Sequence, residues 1–498
     1  VILTLEGLLG WLQDRPAADK NAAAFEGFLN AGYAFPGDRA RILARYRGML
    51  RGFASRFQSG QVAIARAPGR VNLIGEHTDY NGLPVLPMAV NRDLAAVFAP
   101  RPDATVVLAN TDAAFAERSF ELRVEIPPYP TGDWGNYAKA AVQGLMEHYR
   151  RKGRGLEKLR GFQATVNGDI PAAAGMSSSS ALVVLCALMF LAANGLEIRR
   201  LELAELLARA EHYVGTQGGG MDQAISLMGR PGEALKIEFF PLRVQPTGLP
   251  QGYAVVVANS LVQAAKTAEA LDKYNRRPIE CRLATAVLRK AFSERHHRDV
   301  PLQLLGDLRQ EKLAIRQSEI QELAERVLHP EPYRLAEIAS LLGRSPETTA
   351  RSYCRRRDGS IFPEPPEGFE LWKRYRHVTE EGARVERSFE ALQAGEIEEF
   401  GRLMCRSHES CRDLYEISCP ELDRLVAIAL EAGALGSRLT GAGFGGCTVS
   451  LVEESGLQPF LSHVARAYYR EYLKGPGEEL GPILFPCRAV AGASVLGG

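Results

Sequence analysis

Cysteine is scarce in this chain, eight among 498 residues, and no two of them stand in a C-x-x-C pair. A disulfide framework would be denser and a structural zinc site more tightly spaced, so neither is expected and the compartment reads as reducing. Neither sign of charge is in excess: 60 Lys and Arg against 59 Asp and Glu leave a formal net charge of +1. A general nucleic-acid binder would carry a basic surplus or stripe. A local anion site is compatible with neutrality, because net charge says nothing about one pocket. No stretch approaches 18 uninterrupted apolar residues, which argues against a membrane span. The opening segment lacks a basic start and is interrupted by Glu6. It reads as a short amphipathic helix through Leu3, Leu5, Leu8, Leu9 and Leu12 rather than a signal peptide, and a cytoplasmic chain is expected. Internal repeats and low-complexity tracts are missing too.

What is present is an ordinary globular composition, 46% hydrophobic and 24% charged, too apolar for a disordered chain. At roughly 100–200 residues per domain the length suggests two to four domains. Residues 1–60 read as a helical N-terminal extension ending in a basic run, Arg39, Arg41, Arg45, Arg47 and Arg51, of the kind that forms a solvated helix face. From 61 to 125, QVAIARAP, LAAVFAP and ATVVLAN read as strands. Helical periodicity follows at 134–151, 177–193 and 199–214, then strands at 234–240 and 253–258. From 262 to 430 the pattern is helical with a Pro/Gly-rich break at 358–368, and short strands return at 446–452 and 483–490. The chain is α+β with a boundary near 230.

Four stretches concentrate chemistry. In A67-P-G-R-V-N-L-I-G-E-H-T-D-Y-N-G82, Arg70, Glu76, His77 and Asp79 crowd beside turn-forming glycines directly after a strand. Carboxylates there accept from adjacent hydroxyls while an Arg holds anionic charge, as a polyol site needs; a salt-bridged surface turn is the competing reading. In G168-D-I-P-A-A-A-G-M-S-S-S-S-A-L-V-V184, Gly175 and four serines precede an apolar helix. Its unpaired N–H groups suit phosphate and its hydroxyls suit capping or Mg²⁺, although no Lys follows as in G-x-x-x-x-G-K-[ST]. In A210-E-H-Y-V-G-T-Q-G-G-G-M-D-Q-A-I-S226, three glycines let backbone approach a ligand, and Glu211 and Asp222 offer one carboxylate for a metal and one for a reacting hydroxyl. G436-S-R-L-T-G-A-G-F-G-G-C-T-V-S-L451 is a glycine-dense turn running into a strand, weak evidence by itself.

In combination these stretches resemble the GHMP small-molecule kinases, with GRVNLIGEHTDYNG similar to the sugar-binding signature of the galactokinase and N-acetylgalactosamine kinase branch. The resemblance runs from about residue 61 to the C-terminus. It implies a two-domain fold, residues 61–232 with a left-handed βαβ unit and residues 233–498 with a ferredoxin-like domain carrying a helical insertion at about 290–370. It also implies phosphorylation of the anomeric (C1) hydroxyl of galactose by ATP with Mg²⁺. Asp222 is then the base toward that hydroxyl and Arg70 steadies the attacking oxygen, with Arg70, Glu76, His77, Asp79, Gly220, Asp222 and Tyr274 around the sugar. Gly175, Ser177, Ser178 and Ser179 match the phosphate loop, Trp134 an aromatic stacking near adenine, and Ser179 and Glu211 the magnesium ligands. The substrate clues conflict. Tyr274 matches galactokinases, whereas ECRLA at 280–284 and Lys266 follow N-acetylgalactosamine kinases, so that sugar stays as the alternative. A non-catalytic galactose and ATP sensor is a further alternative, which the uninterrupted serine loop disfavours. The expected partners are a sugar and ATP, with no nucleic acid or membrane. The oligomeric state is left open, a monomer being compatible.

Overall fold

The computed structural model describes residues 3–497 except 12–19, 34–37, 58, 172–174, 216–218, 263–267, 357–358 and 476–479. Two sheets organise it. The first runs in the order Leu3–Thr4, Gln61–Asn72, Pro87–Pro100, Phe162–Gly168, Thr105–Asn110, Arg118–Glu121, and Ser494–Leu496 also pairs with Gln61–Asn72. Its pairs are antiparallel except Thr105–Asn110 with Phe162–Gly168, which the helix Gly135–Arg151 helps to connect. Both faces of this sheet are buried, and strand alternation divides the side chains between them. Ala63, Ala65, Ala96 and Phe98 face the core built on the helix Ser178–Ala193. Val62, Ile64, Ala95 and Val97 face Phe25, Tyr46, Met49 and Phe53 of the N-terminal helices.

Those helices, Leu5–Trp11, Lys20–Gly32 and Arg39–Arg56, therefore complete the sheet's packing. The basic run on Arg39–Arg56 is only partly solvated, in contrast to the expected face. Arg45 is buried with its Nη1 2.6 Å from Asp93, and Arg41 reaches Asp169 at 2.8 Å. Phe162–Gly168 lies within the sheet although FQATVNG carries a weak strand pattern, because its neighbours supply the ladder on both sides.

The second sheet is antiparallel throughout, in the order Gly436–Thr440, Cys447–Glu453, Tyr253–Asn259, Leu484–Cys487. Helices Leu371–Ala394 and Ile397–Asp413 cover one face, and Pro420–Glu431 with Leu457–Val464 the other. The first of these cores also takes in Val71, Leu73, Ile74 and Met176, so apolar packing joins the two units beside the glycine-rich loops. Between 268 and 353 lie the long helix Ala268–His296 and shorter helices, the last being Pro346–Tyr353. Ser345 caps that last helix by accepting from Thr348 N at 3.2 Å, with Pro346 at its start. Among the described residues, no helix is long and apolar enough to cross a membrane.

Candidate active site

The segment after Gln61–Asn72 turns sharply at Gly75, whose φ of +100° favours a residue without a Cβ, and a Cβ there would meet the Val85 backbone at 3.0 Å. It then delivers Glu76, His77, Asp79 and Tyr80 to one wall of a cleft of about 130 Å³. Glu211, Gly220, Met221, Asp222 and Gln223 form another wall, with Tyr274, Gly441 and Ala442 closing it. Four stretches far apart in sequence, from Arg70 to Ala442, thus meet around one small polar space.

Asp222 sits in the first turn of the helix Met221–Met228 and accepts from Arg70 Nε at 2.8 Å. Arg70 also donates to the carbonyl of Gly175, so one guanidinium ties the acid to the serine-rich loop. Asp79 Oδ2 accepts from Gly219 N at 2.8 Å; burial pushes its carboxyl up to about 6, opposed by that N–H and reinforced by Asp222 and Glu76. Glu76 Oε1 accepts from Arg438 Nη1 at 3.1 Å and from Gly441 N at 2.9 Å.

His77 is neutral, because burial pushes its pKa down to about 3. Its Nε2 faces the Ala442 carbonyl at 3.2 Å, an acceptor only, so Nε2 carries the proton and Nδ1 accepts from the Tyr80 hydroxyl at 2.8 Å. The Tyr80 oxygen in turn lies 2.8 Å from Tyr415 Oη, which lies 3.4 Å from Cys281 Sγ. Both nitrogens of His77 are therefore engaged by the protein, and what it offers the cleft is a ring, 5.6 Å from the ring of Tyr274.

The serine-rich loop abuts this cleft. Gly175 has φ +70°, and a Cβ on it would approach Thr440 O at 3.0 Å; one on Gly441 would lie 2.6 Å from Gly175 O. Ser177 adopts a left-handed backbone (φ +59°), and its buried hydroxyl has no hydrogen-bond partner among the described residues. Ser178 begins the helix Ser178–Ala193, whose first N–H groups point out of the loop. An orphaned hydroxyl beside a helix N-terminus fits a phosphate group. Tyr137 hydrogen-bonds Ser179 and feels the charge of Glu211, which places those two oxygens in one neighbourhood. Trp134 stands apart from this cleft, its Nε1 donating to Ala116 O at 3.0 Å and its ring edge-on to Phe115. Lys266 and Gly218 lie outside the described residues.

Sequence reading missed Arg438, His377, Glu381 and Tyr415. Each is a single residue in an otherwise plain helix, strand or turn, and only their convergence on the 75–80 loop distinguishes them. Of the ECRLA clue, Glu280 is buried against Arg374 at 2.6 Å and Cys281 against Tyr415, so these two residues serve packing behind the cleft.

Comparison with known proteins bears on the same segments. The galactokinase galactose-binding signature matches residues 51–100, the GHMP kinases N terminal domain residues 136–230 and the GHMP kinases C terminal domain residues 388–471. Galactokinase of Dictyostelium discoideum is 37% identical over 441 residues, spanning 82% of this chain and 84% of its own. That of Saccharomyces cerevisiae is 32% identical over 480 residues, spanning 86% and 89%. Among solved structures, Lactococcus lactis galactokinase complexed with galactose aligns with a TM-score of 0.68 at 28% identity, over 89% of this chain and 98% of that one. A mevalonate kinase aligns with a TM-score of 0.51 at 18% identity over 86% and 99%, a likeness of fold alone. With its sugar signature and both kinase domains matched, and relatives this similar along most of their length, the chain belongs to the galactokinase family of GHMP kinases.

Proposed function

We propose that the protein transfers the γ-phosphoryl group of ATP to the C1 hydroxyl of galactose, giving galactose 1-phosphate and ADP. The observation that carries this reading is the Arg70–Asp222 pair. At 2.8 Å it stands in the cleft lined by Glu76 and Asp79, and the same Arg70 holds the Gly175 carbonyl of the serine-rich loop. A hydroxyl placed on Asp222 is thereby next to the loop that would present a phosphate.

Asp222 accepts the proton of the C1 hydroxyl, whose oxygen forms the new bond to the γ-phosphorus while the bond to the β–γ bridging oxygen breaks and ADP leaves. Arg70 limits charge on the attacking oxygen. Phosphoryl transfer through a loose transition state asks mainly for such positioning and charge neutralisation. Glu76 and Asp79 accept from the remaining sugar hydroxyls. Ser177 and the N–H groups opening the helix Ser178–Ala193 hold phosphate oxygens. Ser179 and Glu211 form an all-oxygen pair suited to Mg²⁺, which when bound neutralises charge on the transferring phosphates.

Galactose is preferred over N-acetylgalactosamine because Tyr274 lines the cleft whereas Glu280 and Cys281 pack behind it. A coupled ADP-release assay across galactose, N-acetylgalactosamine, glucose and galacturonate tests this. Galactose should give the highest kcat/KM. Faster turnover of the acetamido sugar would move the substrate assignment, and no sugar-dependent ADP release would make the protein a sensor.

A further inference from the structure

We propose that Arg438 is a positioning residue for sugar recognition, holding the Glu76 side chain with one oxygen engaged by protein and the other left for a sugar hydroxyl. The inference rests on the sugar-kinase reading and deepens it.

Arg438 lies on the strand Gly436–Thr440, wholly buried and out of reach of any ligand in the cleft. Its Nη1 donates to Glu76 Oε1 at 3.1 Å and to Asn72 O at 3.0 Å, and its Nε to Ser407 Oγ at 3.1 Å. Gly441 N, three residues along, donates to the same Oε1 at 2.9 Å. Both contacts to the Glu76 carboxylate thus converge on Oε1, while Glu76 lines the cleft. The main chain of the loop is held from the same side. His377 Nε2 donates to Glu76 O at 3.1 Å, and Glu381, bonded to Ser407, accepts from Gly75 N at 2.9 Å.

A buried ion pair is weak evidence for stability, since well-packed apolar residues often do as well. Its value here is orientation: Arg438 and Gly441 N together hold Glu76 Oε1 from the protein side and so fix how the carboxyl group stands in the cleft. His77 and His377 are both neutral, burial pushing them down to about 3 and about 4, so Arg438 is the cation in direct contact with Glu76. Without it, Glu76 loses one of the two donors that hold Oε1, and its carboxyl group is free to turn from the direction a sugar hydroxyl needs.

The test compares Arg438→Gln and Arg438→Lys with wild type at one pH, measuring KM for galactose, KM for ATP and kcat, with melting curves to establish folding. In Arg438→Gln the galactose KM should rise about 10-fold or more, the scale of losing one partner of a buried charge pair. The ATP KM should stay within about 3-fold, because among the described residues no contact of Arg438 reaches the phosphate loop. Arg438→Lys keeps a charged donor toward Glu76, so its rise in galactose KM should be smaller. An unchanged galactose KM in folded variants, equal rises for both substrates, or a rise in Arg438→Lys as large as in Arg438→Gln would each overturn the assignment. Should Arg438→Gln fail to fold, Arg438→Lys decides: a wild-type galactose KM there overturns it. Absence of galactose turnover by wild type would sink the kinase reading instead.

Discussion

Asp222 pairs with Arg70 inside the cleft, so its replacement separates chemistry from folding. Asp222→Asn removes charge and little volume at a partly exposed position. Turnover should fall by roughly 10²–10⁴-fold, the scale of a positioned acid–base group, with the melting temperature nearly unchanged. Near-wild-type kcat in the Asn variant would remove Asp222 from its role. Asp79 makes a different prediction because burial raises its pKa to about 6. A raised acid favours the fold fully only below its unfolded pKa of about 4, and that contribution is lost as pH rises through about 6. At pH 7.5 the folded state therefore carries an unfavourable ionised group, and Asp79→Asn should melt higher while binding galactose more weakly. Wild-type galactose affinity, measured by calorimetry, should drop below about pH 6, a drop missing from the Asn variant. Lower stability of Asp79→Asn at pH 7.5 would contradict the burial argument.

At the scale of elements, the serine-rich loop and the glycine turn at 441–446 act as one object because their backbones touch. Gly175→Ala adds a Cβ at φ +70°, where an L-residue costs roughly 1–2 kcal/mol, and aims it at Thr440 O. The expected outcome is a raised ATP KM with little change in galactose binding measured without nucleotide; a purely sugar-side defect would misplace the loop. How much of this was legible depends on whether chemistry is written locally. The 67–82, 168–184 and 210–226 stretches each hold several candidate residue types within about 17 positions, so they stand out in the sequence before any fold is known. Arg438 and Glu381 were not, since an arginine in GSRLT or a glutamate in a charged helix looks like many others until 300 residues of chain return to Glu76 and Gly75. Arg45 failed in the opposite sense. A basic helical run reads as solvated, yet tertiary packing places this residue on Asp93. The strand at 162–168 is not legible in the sequence, because its alternation is short and its stability comes from partners on both sides.

Across the whole molecule, the N-terminal helices are fastened to the first sheet by a buried cluster in which Arg45 and Arg66 both contact Asp93, at 2.6 and 2.8 Å. Burial alone would raise the Asp93 carboxyl, but the two guanidinium groups hold it below its usual range. A depressed acid contributes stability above its unfolded pKa and loses it as pH falls, so this cluster should fail in acid. Asp93→Ala leaves Arg66 without its carboxylate partner and Arg45 with only Asp169 at 3.5 Å, and should cost roughly 3–5 kcal/mol in denaturant unfolding at neutral pH. The galactose KM of the surviving folded fraction should be unchanged, because the cluster lies on the sheet face away from the cleft. Everything above rests on phosphorylation of galactose at C1, which nuclear magnetic resonance of the product formed from galactose and ATP tests most directly. One phosphate per galactose, coupled to the anomeric proton, should form together with one ADP and be lost in Asp222→Asn. Phosphate on any other carbon, or an undiminished product yield from Asp222→Asn, would contradict it.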